Sequence, residues 1–232
     1  MRIISALKKT ATLGLLFLLL PSFLFAPVQA NAAQKNLPPA IQVGLFSANN
    51  LEGWKEKEFV NQTQYQLLKQ GDRVVLHAEA EASASGLFKE VKINLTTHPY
   101  INWQWKVEKA HPPLAERTKS GDDYAARIYI VVKGGLAFWK TKAINYVWSS
   151  TEKKGATWPN AFAGKNAMLM AIRSSDNKIG AWYQEKRNVY EDLKVLFGEE
   201  IKEIDAVAIM TDSDNSKGFV SASYGDITFT AD

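Results

Sequence analysis

Alternation of apolar and polar residues with a period of two is the dominant pattern along this chain. It is clearest over 101–107, where tryptophans alternate with polar residues, and it recurs over 74–80. Successive side chains of a β-strand point to opposite faces, so this period predicts strands with one buried face. The segments 124–132 and 206–210 are nearly continuous apolar runs, which predict strands buried on both faces.

A helical period is found in a single segment. Between 189 and 197 apolar residues recur three or four positions apart, with Asn188 placed to cap the start and Gly198 to end the helix. Further strands are predicted at 87–95, 143–149, 166–172, 181–187 and 223–229.

Many strands and one short helix predict an all-β fold. We expect an antiparallel β-sandwich of jelly-roll type rather than a closed barrel, since long strands with irregular connections fit two packed sheets better. No linker rich in proline, glycine or serine and no internal repeat divides the chain beyond its first 40 residues. We therefore expect a single β-sandwich domain over 41–232.

The N-terminus has the pattern of a secretory signal peptide. Basic residues precede an apolar stretch at 11–20, and small residues place the cleavage site after Ala30 or Ala32. A proline interrupts the apolar stretch before it reaches the ~20 residues that span a membrane. We expect a signal peptide at 1–30, a flexible mature N-terminus over 31–40, and a soluble periplasmic or secreted product.

Charge and cysteine content restrict the function classes. Of 28 Lys+Arg, three lie in the predicted signal peptide, which leaves 25 against 24 Asp+Glu. Such a balance implies no nucleic-acid partner and no membrane surface, and we expect a monomer. The absence of cysteine excludes disulfides, thiolate metal sites and a cysteine nucleophile.

A series of sequence motifs carries a family resemblance. These are WQWKV, GDDYAARIYIVV, INYVW, EKRNVYEDLKVLFGE, VAIMTDSDN and YGDITF, which run in this order from about Leu45 to Phe229. The series closely resembles bacterial secreted proteins grouped as the domain-of-unknown-function 3047 family. The resemblance implies a single exported β-rich domain, and it implies no reaction, ligand or site residue.

Polar residues inside otherwise apolar strands are the first candidates for a site. A strand starting near Asp123 would place that residue and Arg127 on one face. A buried arginine needs a partner. One interpretation is a structural salt bridge to Glu185, Asp212 or Asp226, and the other is a guanidinium that grips a carboxylate or sugar hydroxyls.

Two more segments place polar groups among apolar ones. Trp182 precedes a strand on which Glu185 and Arg187 share a face, as either ligand contacts or a solvated ion pair. Asn145 lies within an apolar strand, where its amide needs a polar neighbour or a bound sugar. We expect Trp103, Trp105 and Trp148 in the core. Aromatic platforms for a ligand are predicted at Trp139, Trp158 and Trp182.

The loop that follows the apolar run 206–210 offers an oxygen ligand at every second position, from Asp212 and Asp214 to Ser216. This spacing begins like a calcium loop but lacks the glycine and the final glutamate of an EF-hand. The alternatives are a structural Ca²⁺ site, a turn in which Asp and Asn bond their own backbone, and the rim of a ligand site. We assign no metal site and no cofactor.

Known catalytic patterns are missing from the sequence. The three histidines are scattered, and neither a GxSxG elbow nor a glycine-rich phosphate loop is present. A glycosidase needs only two carboxylates ~5 to 9 Å apart, and four residues are available for such a pair: Asp123, Glu185, Asp212 and Asp226. Enzymatic activity is left open.

Three functions are carried forward. The preferred one is an exported module that binds a glycan or another small polar ligand in a polar cleft, and the second is a carbohydrate-active hydrolase or lyase with paired carboxylates. The third is an envelope structural or assembly protein, which predicts an apolar patch and no polar pocket. The first requires ten candidate residues to converge: Asp123, Arg127, Asn145, Trp182, Glu185, Arg187, Asp212, Asp214, Asn215 and Asp226.

Overall fold

Strands account for most of the regular structure in a computed structural model that describes residues 37–135 and 140–232. They pair into two seven-stranded sheets. The first sheet contains β1 (Ile41–Gly44), β3 (Gln64–Gln70), β4 (Arg73–Glu81), β6 (Tyr100–Lys109), β11 (Tyr183–Asn188), β13 (Phe219–Tyr224) and β14 (Ile227–Thr230). The second contains β2 (Trp54–Val60), β5 (Ala84–Asn94), β7 (Arg127–Val132), β8 (Lys142–Trp148), β9 (Thr157–Asn160), β10 (Gly164–Arg173) and β12 (Glu203–Asp212).

The strand order is β1-β14-β6-β13-β4-β3 in the first sheet, where β11 also pairs with β6. In the second sheet the order is β2-β5-β12-β7-β8-β10-β9, so that β2 and β9 form its edges. Two short 3-10 helices, Phe46–Ala48 and Lys119–Gly121, and one α-helix, α1 (Val189–Phe197), complete the described structure. The predicted all-β sandwich of jelly-roll type with one short helix is confirmed.

Aromatic side chains join the two sheets across the core. Trp103 on β6 stacks on Tyr146 on β8, with ring centroids 5.5 Å apart. Trp105 meets Trp148 edge-on at 6.1 Å. All four side chains are buried. The assignment of these three tryptophans to the core is therefore confirmed, and large aromatic areas of this kind dominate core energetics.

The helix has the bounds that its caps predict. The Asn188 side chain accepts a hydrogen bond from the Glu191 backbone N at 3.1 Å. Gly198 ends the helix with a φ of 71°, a left-handed conformation that glycine adopts without strain. Because both signals are local, the sequence was sufficient to place this element.

Three details of the sheets differ from expectation. The strand predicted at 124–132 begins at Arg127, and the strand predicted at 223–229 is split into β13 and β14. The sandwich is antiparallel apart from one pair of strands, since β8 and β10 run parallel. Parallel neighbours need a crossover connection, and here that connection includes β9.

The edges of the second sheet have distinct sequences. β2 exposes an alternating run of charges over 55–58, and β9 contains Pro159. Residues Leu37–Asp232 cluster into one compact unit. Among the described residues there is no helix with the length and apolar character needed to cross a membrane. The predicted signal peptide lies outside the described residues, as does Trp139.

Candidate functional site

A cleft of about 450 Å³ opens on the outer face of the second sheet, where β7 begins and β12 ends. Its floor is polar and its walls are largely apolar. The polar lining residues are Asp122, Arg127, Asn145, Asn160, Asp212, Asp214 and Asn215, and the apolar ones include Phe59, Tyr129, Phe162, Ala167 and Met210.

An ion pair between neighbouring strands forms the centre of the floor. Arg127 lies opposite Met210 in the antiparallel register of β7 and β12, which brings its side chain to Asp212. Its Nε donates to Asp212 Oδ1 at 2.8 Å, and its Nη2 donates to Asp212 Oδ2. Both residues are buried. The predicted salt bridge is therefore formed with Asp212, and it also lines the cleft.

Asp122 extends the floor on the other side of Arg127. Its backbone O accepts from Arg127 Nη2 at 2.7 Å, and its carboxylate Oδ2 accepts from Asn160 Nδ2 at 2.8 Å. Its second oxygen, Oδ1, is buried and has no partner among the described residues. Arg127 Nη1 lies 3.8 Å from Asp122 Oδ2. The floor thus offers an acceptor and a cationic donor.

Asn145 is the most unusual group in the cleft. It lies on β8 directly opposite Tyr129 of β7 and next to Leu169 of β10, and it is 1% exposed. Neither its Nδ2 nor its Oδ1 has a hydrogen-bond partner in the described part of the chain. Buried amides are nearly always satisfied, so this unpaired side chain makes the cleft a candidate binding site.

The walls come from opposite edges of the sheet. Phe59 on the edge strand β2 is 60% exposed, and Phe162 in the turn from β9 to β10 is 58% exposed. Tyr129 and Met210 lie between them. An exposed aromatic ring at each side of a polar floor provides apolar area on which a flat ligand can stack.

Hydrogen bonds to Asp123 fix the loop that follows β12. The Asp123 carboxylate accepts from Asn215 Nδ2 at 2.9 Å and from the Ser216 backbone N at 2.5 Å. Asp123 is fully buried and does not line the cleft. His111 supports the same loop, because its Nε2 lies 2.9 Å from the Asp212 backbone O. Asp123 is therefore a positioning residue for Asp214 and Asn215.

The carboxyl groups respond differently to these surroundings. Burial raises the pKa of Asp212 to about 7, although Arg127 opposes the shift. Burial also raises the pKa of Asp122 and of Asp214, and for Asp214 the charge of Asp123 adds to it. For Asp123 burial acts in the same direction, but hydrogen bonds from the loop outweigh it and lower the pKa.

The calcium alternative does not fit the donor set. Carboxylate oxygens of Asp123, Asp212 and Asp214 lie within 4.8 Å of one another. The oxygens of Asp123 already accept hydrogen bonds from the loop, and those of Asp212 accept from Arg127. Ca²⁺ takes six to eight oxygen ligands, and a guanidinium beside the group opposes a cation. The arrangement fits an ion pair and a loop anchor.

Two predicted residues are instead paired on or near the first sheet. Glu185 accepts from Arg173 Nε at 2.5 Å and from Trp105 Nε1 at 3.1 Å. Arg187 donates to Asp192 of the helix through its Nε at 2.9 Å. The prediction that these side chains converge with Arg127 is wrong. Glu185 and Arg187 do share one face of β11, but their side chains bond Arg173, Trp105 and Asp192.

Two further predicted residues also lie away from the cleft. Asp226, between β13 and β14, accepts from the Ser47 backbone N at 2.8 Å and so fixes a turn. The Trp182 ring lies 3.9 Å from the Arg73 guanidinium carbon, on the first sheet's side of the molecule. The prediction that Asp226 and Trp182 converge with Arg127 is therefore wrong. Trp158, predicted as a platform, is 1% exposed and packs near Tyr124.

The cleft contains residues that the sequence did not single out. Asp122 is not among the predicted site residues. The strand expected to start near residue 123 begins four residues later, at Arg127. Phe59 ends a charged run, and Phe162 follows Asn160 in a turn. An aromatic residue in such polar surroundings can indicate a ligand contact. Without the strand order, however, the sequence does not show that Phe59 and Phe162 line the same cleft.

The two alternative functions make structural demands that can be compared with the cleft. The carboxylate pairs considered for a hydrolase or lyase are not available, because Glu185 and Asp226 lie elsewhere and Asp123 and Asp212 are engaged internally. The carboxylates that face the cleft with free capacity are Asp122 and Asp214. A structural protein predicts an apolar patch without a polar pocket, whereas charged and amide side chains line part of this cleft.

Comparison with known sequences gives one family. A sequence model with the description "Protein of unknown function (DUF3047)" matches residues 52–228. No curated protein matches the chain.

Solved structures of similar fold have very different sequences. A family 11 carbohydrate-binding module of the cellulase Lic26A-Cel5E of Clostridium thermocellum has a TM-score of 0.48 and 8% identity, covering 84% of this chain and 95% of that one. A family 30 module of Cel9D-Cel44B from the same organism has 0.43 and 7%, covering 78% and 92%. The CBM22-2 xylan-binding domain of Paenibacillus barcinonensis Xyn10C has 0.41 and 8%, covering 82% and 98%. At these values the likenesses carry no argument about a ligand.

Proposed function

Because this chain belongs to the DUF3047 family, whose description states no function, we propose a function from the cleft itself. The protein is an exported binding module that holds a glycan or a similar small polar ligand on the outer face of its second sheet. Arg127, Asn145 and Asp122 contact the ligand from the floor, while Phe59 and Phe162 contact it from the walls.

The unpaired amide of Asn145 carries this proposal. A buried side-chain amide without partners costs about 1–3 kcal/mol per unsatisfied group. Nothing in the packing of β7, β8 and β10 requires an amide there, since the neighbours of Asn145 in register are Tyr129 and Leu169. A ligand hydroxyl that both donates and accepts satisfies Nδ2 and Oδ1 together.

The rest of the cleft is complementary to a sugar. The floor alternates donors and acceptors, with Arg127 Nη1 and Asn145 Nδ2 as donors and Asp122 Oδ1 as an acceptor. Sugar rings combine hydroxyl edges with apolar C–H faces, and the exposed phenylalanine rings match the latter. A volume of about 450 Å³ also lies in the usual range of ligand pockets, roughly 300–1,000 Å³.

Export rests on the N-terminal sequence pattern. Cell fractionation followed by N-terminal sequencing of the recovered protein tests it. A mature chain that starts after Ala30 or Ala32 in the periplasm or medium supports export, and a full-length cytoplasmic chain contradicts it.

The site is tested with Asn145→Leu in the mature protein. A glycan array identifies a ligand, and titration calorimetry measures its affinity. We expect the variant to bind about five- to 150-fold more weakly, since two hydrogen bonds of about 0.5–1.5 kcal/mol each are lost. Its free energy of unfolding should stay equal or rise, because no internal hydrogen bond is removed.

Asn102→Leu is the matched control, since this amide lies on the first sheet and bonds Thr230 Oγ1 at 3.1 Å. It should lose stability without losing affinity. Phe59→Ala should weaken binding about threefold or more, as expected for one lost stacking contact, whereas Phe219→Ala, which truncates an exposed phenylalanine on the first sheet, should not. Binding that is unchanged in Asn145→Leu and Phe59→Ala would place the ligand elsewhere and overturn the proposal.

A further inference from the structure

The cleft adjoins a second depression on the same face of the sheet, which we call the trough. The trough has a volume of about 160 Å³ and shares Phe59, Tyr129 and Met210 with the cleft. Its own lining includes Phe88, Val131 and Ala208. The trough therefore lies next to the cleft along the direction of β7 and β12.

A glycine leaves space in the floor of the trough, because it has no side chain. Gly86 is the third residue of β5, in register with Lys57 of β2 and Met210 of β12. A Cβ atom at this position would lie 3.2 Å from the Ile209 backbone O. Glycine inside a strand sacrifices packing and often marks a close approach by another group. Here it leaves room between Phe59 and the next strands.

The trough differs from the cleft in polarity. Its single charged lining residue is Lys57, whose Nζ lies 5.2 Å from the centroid of the Phe59 ring. The trough's other lining residues have no charged or amide side chain. A second sugar placed there would bury hydroxyl groups without partners, which is costly. An alkyl chain would instead gain from the same surface.

The charge of the cleft floor restricts the head of such a ligand. Three carboxyl groups, from Asp122, Asp212 and Asp214, surround the single guanidinium of Arg127. Arg127 is engaged by Asp212 through two hydrogen bonds. The floor therefore has no excess of positive groups for a phosphate or sulfate, and its free donors and acceptors suit hydroxyl groups.

We infer that cleft and trough form one groove for an amphiphile, with an uncharged, hydroxyl-rich head in the cleft and an apolar chain in the trough. This inference rests on the proposed function and narrows its ligand from a polar molecule to a glycosylated, chain-bearing one. The three lining residues that the two depressions share, and the difference between their other lining residues, support a single occupant with two chemically distinct ends.

The test is a series of methyl, butyl, hexyl and octyl glycosides of glucose, galactose and mannose, each measured below its micelle concentration. Titration calorimetry with the mature protein should show affinity that rises about fourfold per methylene, because burying one CH₂ contributes about 0.8 kcal/mol. The rise should stop once the trough is filled. Alkyl sulfates and free alkanols of the same lengths should bind much more weakly.

Ala208→Leu separates the two ends of the ligand. Ala208 lies on the outer face of β12 and lines the trough but not the cleft. The variant should lose most of the gain with chain length and keep the affinity for the methyl glycoside. Thr228→Leu, on β14 of the first sheet, is the matched control and should keep both. Urea unfolding checks that each variant is folded.

Failure of this inference is distinguishable from failure of the proposed function. A methyl glycoside that binds in an Asn145-dependent manner without any gain from longer chains overturns the amphiphile and leaves the polar site standing. A gain that persists in Ala208→Leu, or equal binding of alkanols or alkyl sulfates, also overturns it. Absence of binding by every glycoside removes both conclusions.

Discussion

Arg127 belongs both to the packing of the sheet and to the floor of the cleft. Its partner Asp212 is buried with it, and the guanidinium also donates to the Asp122 backbone. A buried ion pair is weak evidence for stability, because desolvation offsets much of the attraction. The role of the pair is better explained by the orientation that it gives to Arg127. The bonds to Asp212 and Asp122 fix Nε and Nη2 and leave Nη1 at the cleft.

Removal of one partner should therefore cost far more than removal of both. Arg127→Met leaves Asp212 buried without its counter-charge, and we expect a loss of about 3–5 kcal/mol in the free energy of unfolding. Arg127→Met combined with Asp212→Leu should recover much of that loss and still fail to bind ligand. Urea denaturation and calorimetry measure both effects.

A surface pair provides the comparison. Arg117, which is 58% exposed, is bonded to Glu152. Arg117→Ala should change stability by less than about 1 kcal/mol, as is usual for solvated pairs. Equal losses in Arg117→Ala and Arg127→Met would contradict the buried character of the Arg127 pair.

His111 should make the stability of the protein depend on pH through its hydrogen bond to the end of β12. Burial lowers the pKa of His111 from its ordinary value of 6.5, while its hydrogen bond to the Asp212 backbone opposes the shift. Between the lowered value and 6.5 the unfolded chain binds more protons than the folded one, so stability rises with pH. The contribution of His111 is complete above 6.5 and is lost as the pH falls through the folded value.

We expect the stability difference between the natural protein and His111→Gln to be larger near pH 7 than near pH 5. Urea unfolding of both chains at a series of pH values measures it, and NMR titration of the imidazole gives the folded pKa. A difference that shrinks as the pH rises would reverse the assigned sign.

Among the elements, those specified by neighbouring residues were predictable from the sequence. The helix is fixed by Asn188 and Gly198, and β6 by an alternation that spans only its own residues. The start of β7 was not predictable, because Asp123 is turned under a loop more than 90 residues away in sequence. Such contacts override local alternation and leave no trace in the pattern.

The helix cap should make a local contribution to stability. Asn188→Ala removes the acceptor for the Glu191 backbone N, and we expect a loss of about 1 kcal/mol. Asn188→Asp keeps an acceptor and places a negative charge at the helix N-terminus, so stability should be retained. Thermal unfolding of the two variants measures the difference. Equal losses in both would show that the side chain acts through something other than the cap.

At the scale of the whole molecule, strand order determines which predicted residues meet. Arg127, Asn145 and Asp212 converge because β12, β7 and β8 are neighbours. Glu185 lies on β11 in the other sheet, although its sequence pattern was equally suggestive. Period-two alternation assigns a residue to a face, but it does not say which sheet or which neighbour. The site was therefore predictable only in part.

The two sheets should unfold together. A continuous core that includes Trp103 and Tyr146 links them, and we expect residues 37–232 to show one cooperative transition. Tryptophan fluorescence and far-UV circular dichroism should give coincident curves in urea. Curves that separate would show that one sheet survives the loss of the other.

The edge strands of the second sheet affect how readily the protein aggregates at high concentration. An open edge is a template on which another chain can add a strand and begin to aggregate. The run of charges over 55–58 and the missing N–H of Pro159 make both of these edges poor templates. We therefore expect these two edges to contribute little to aggregation in a concentrated solution of the protein.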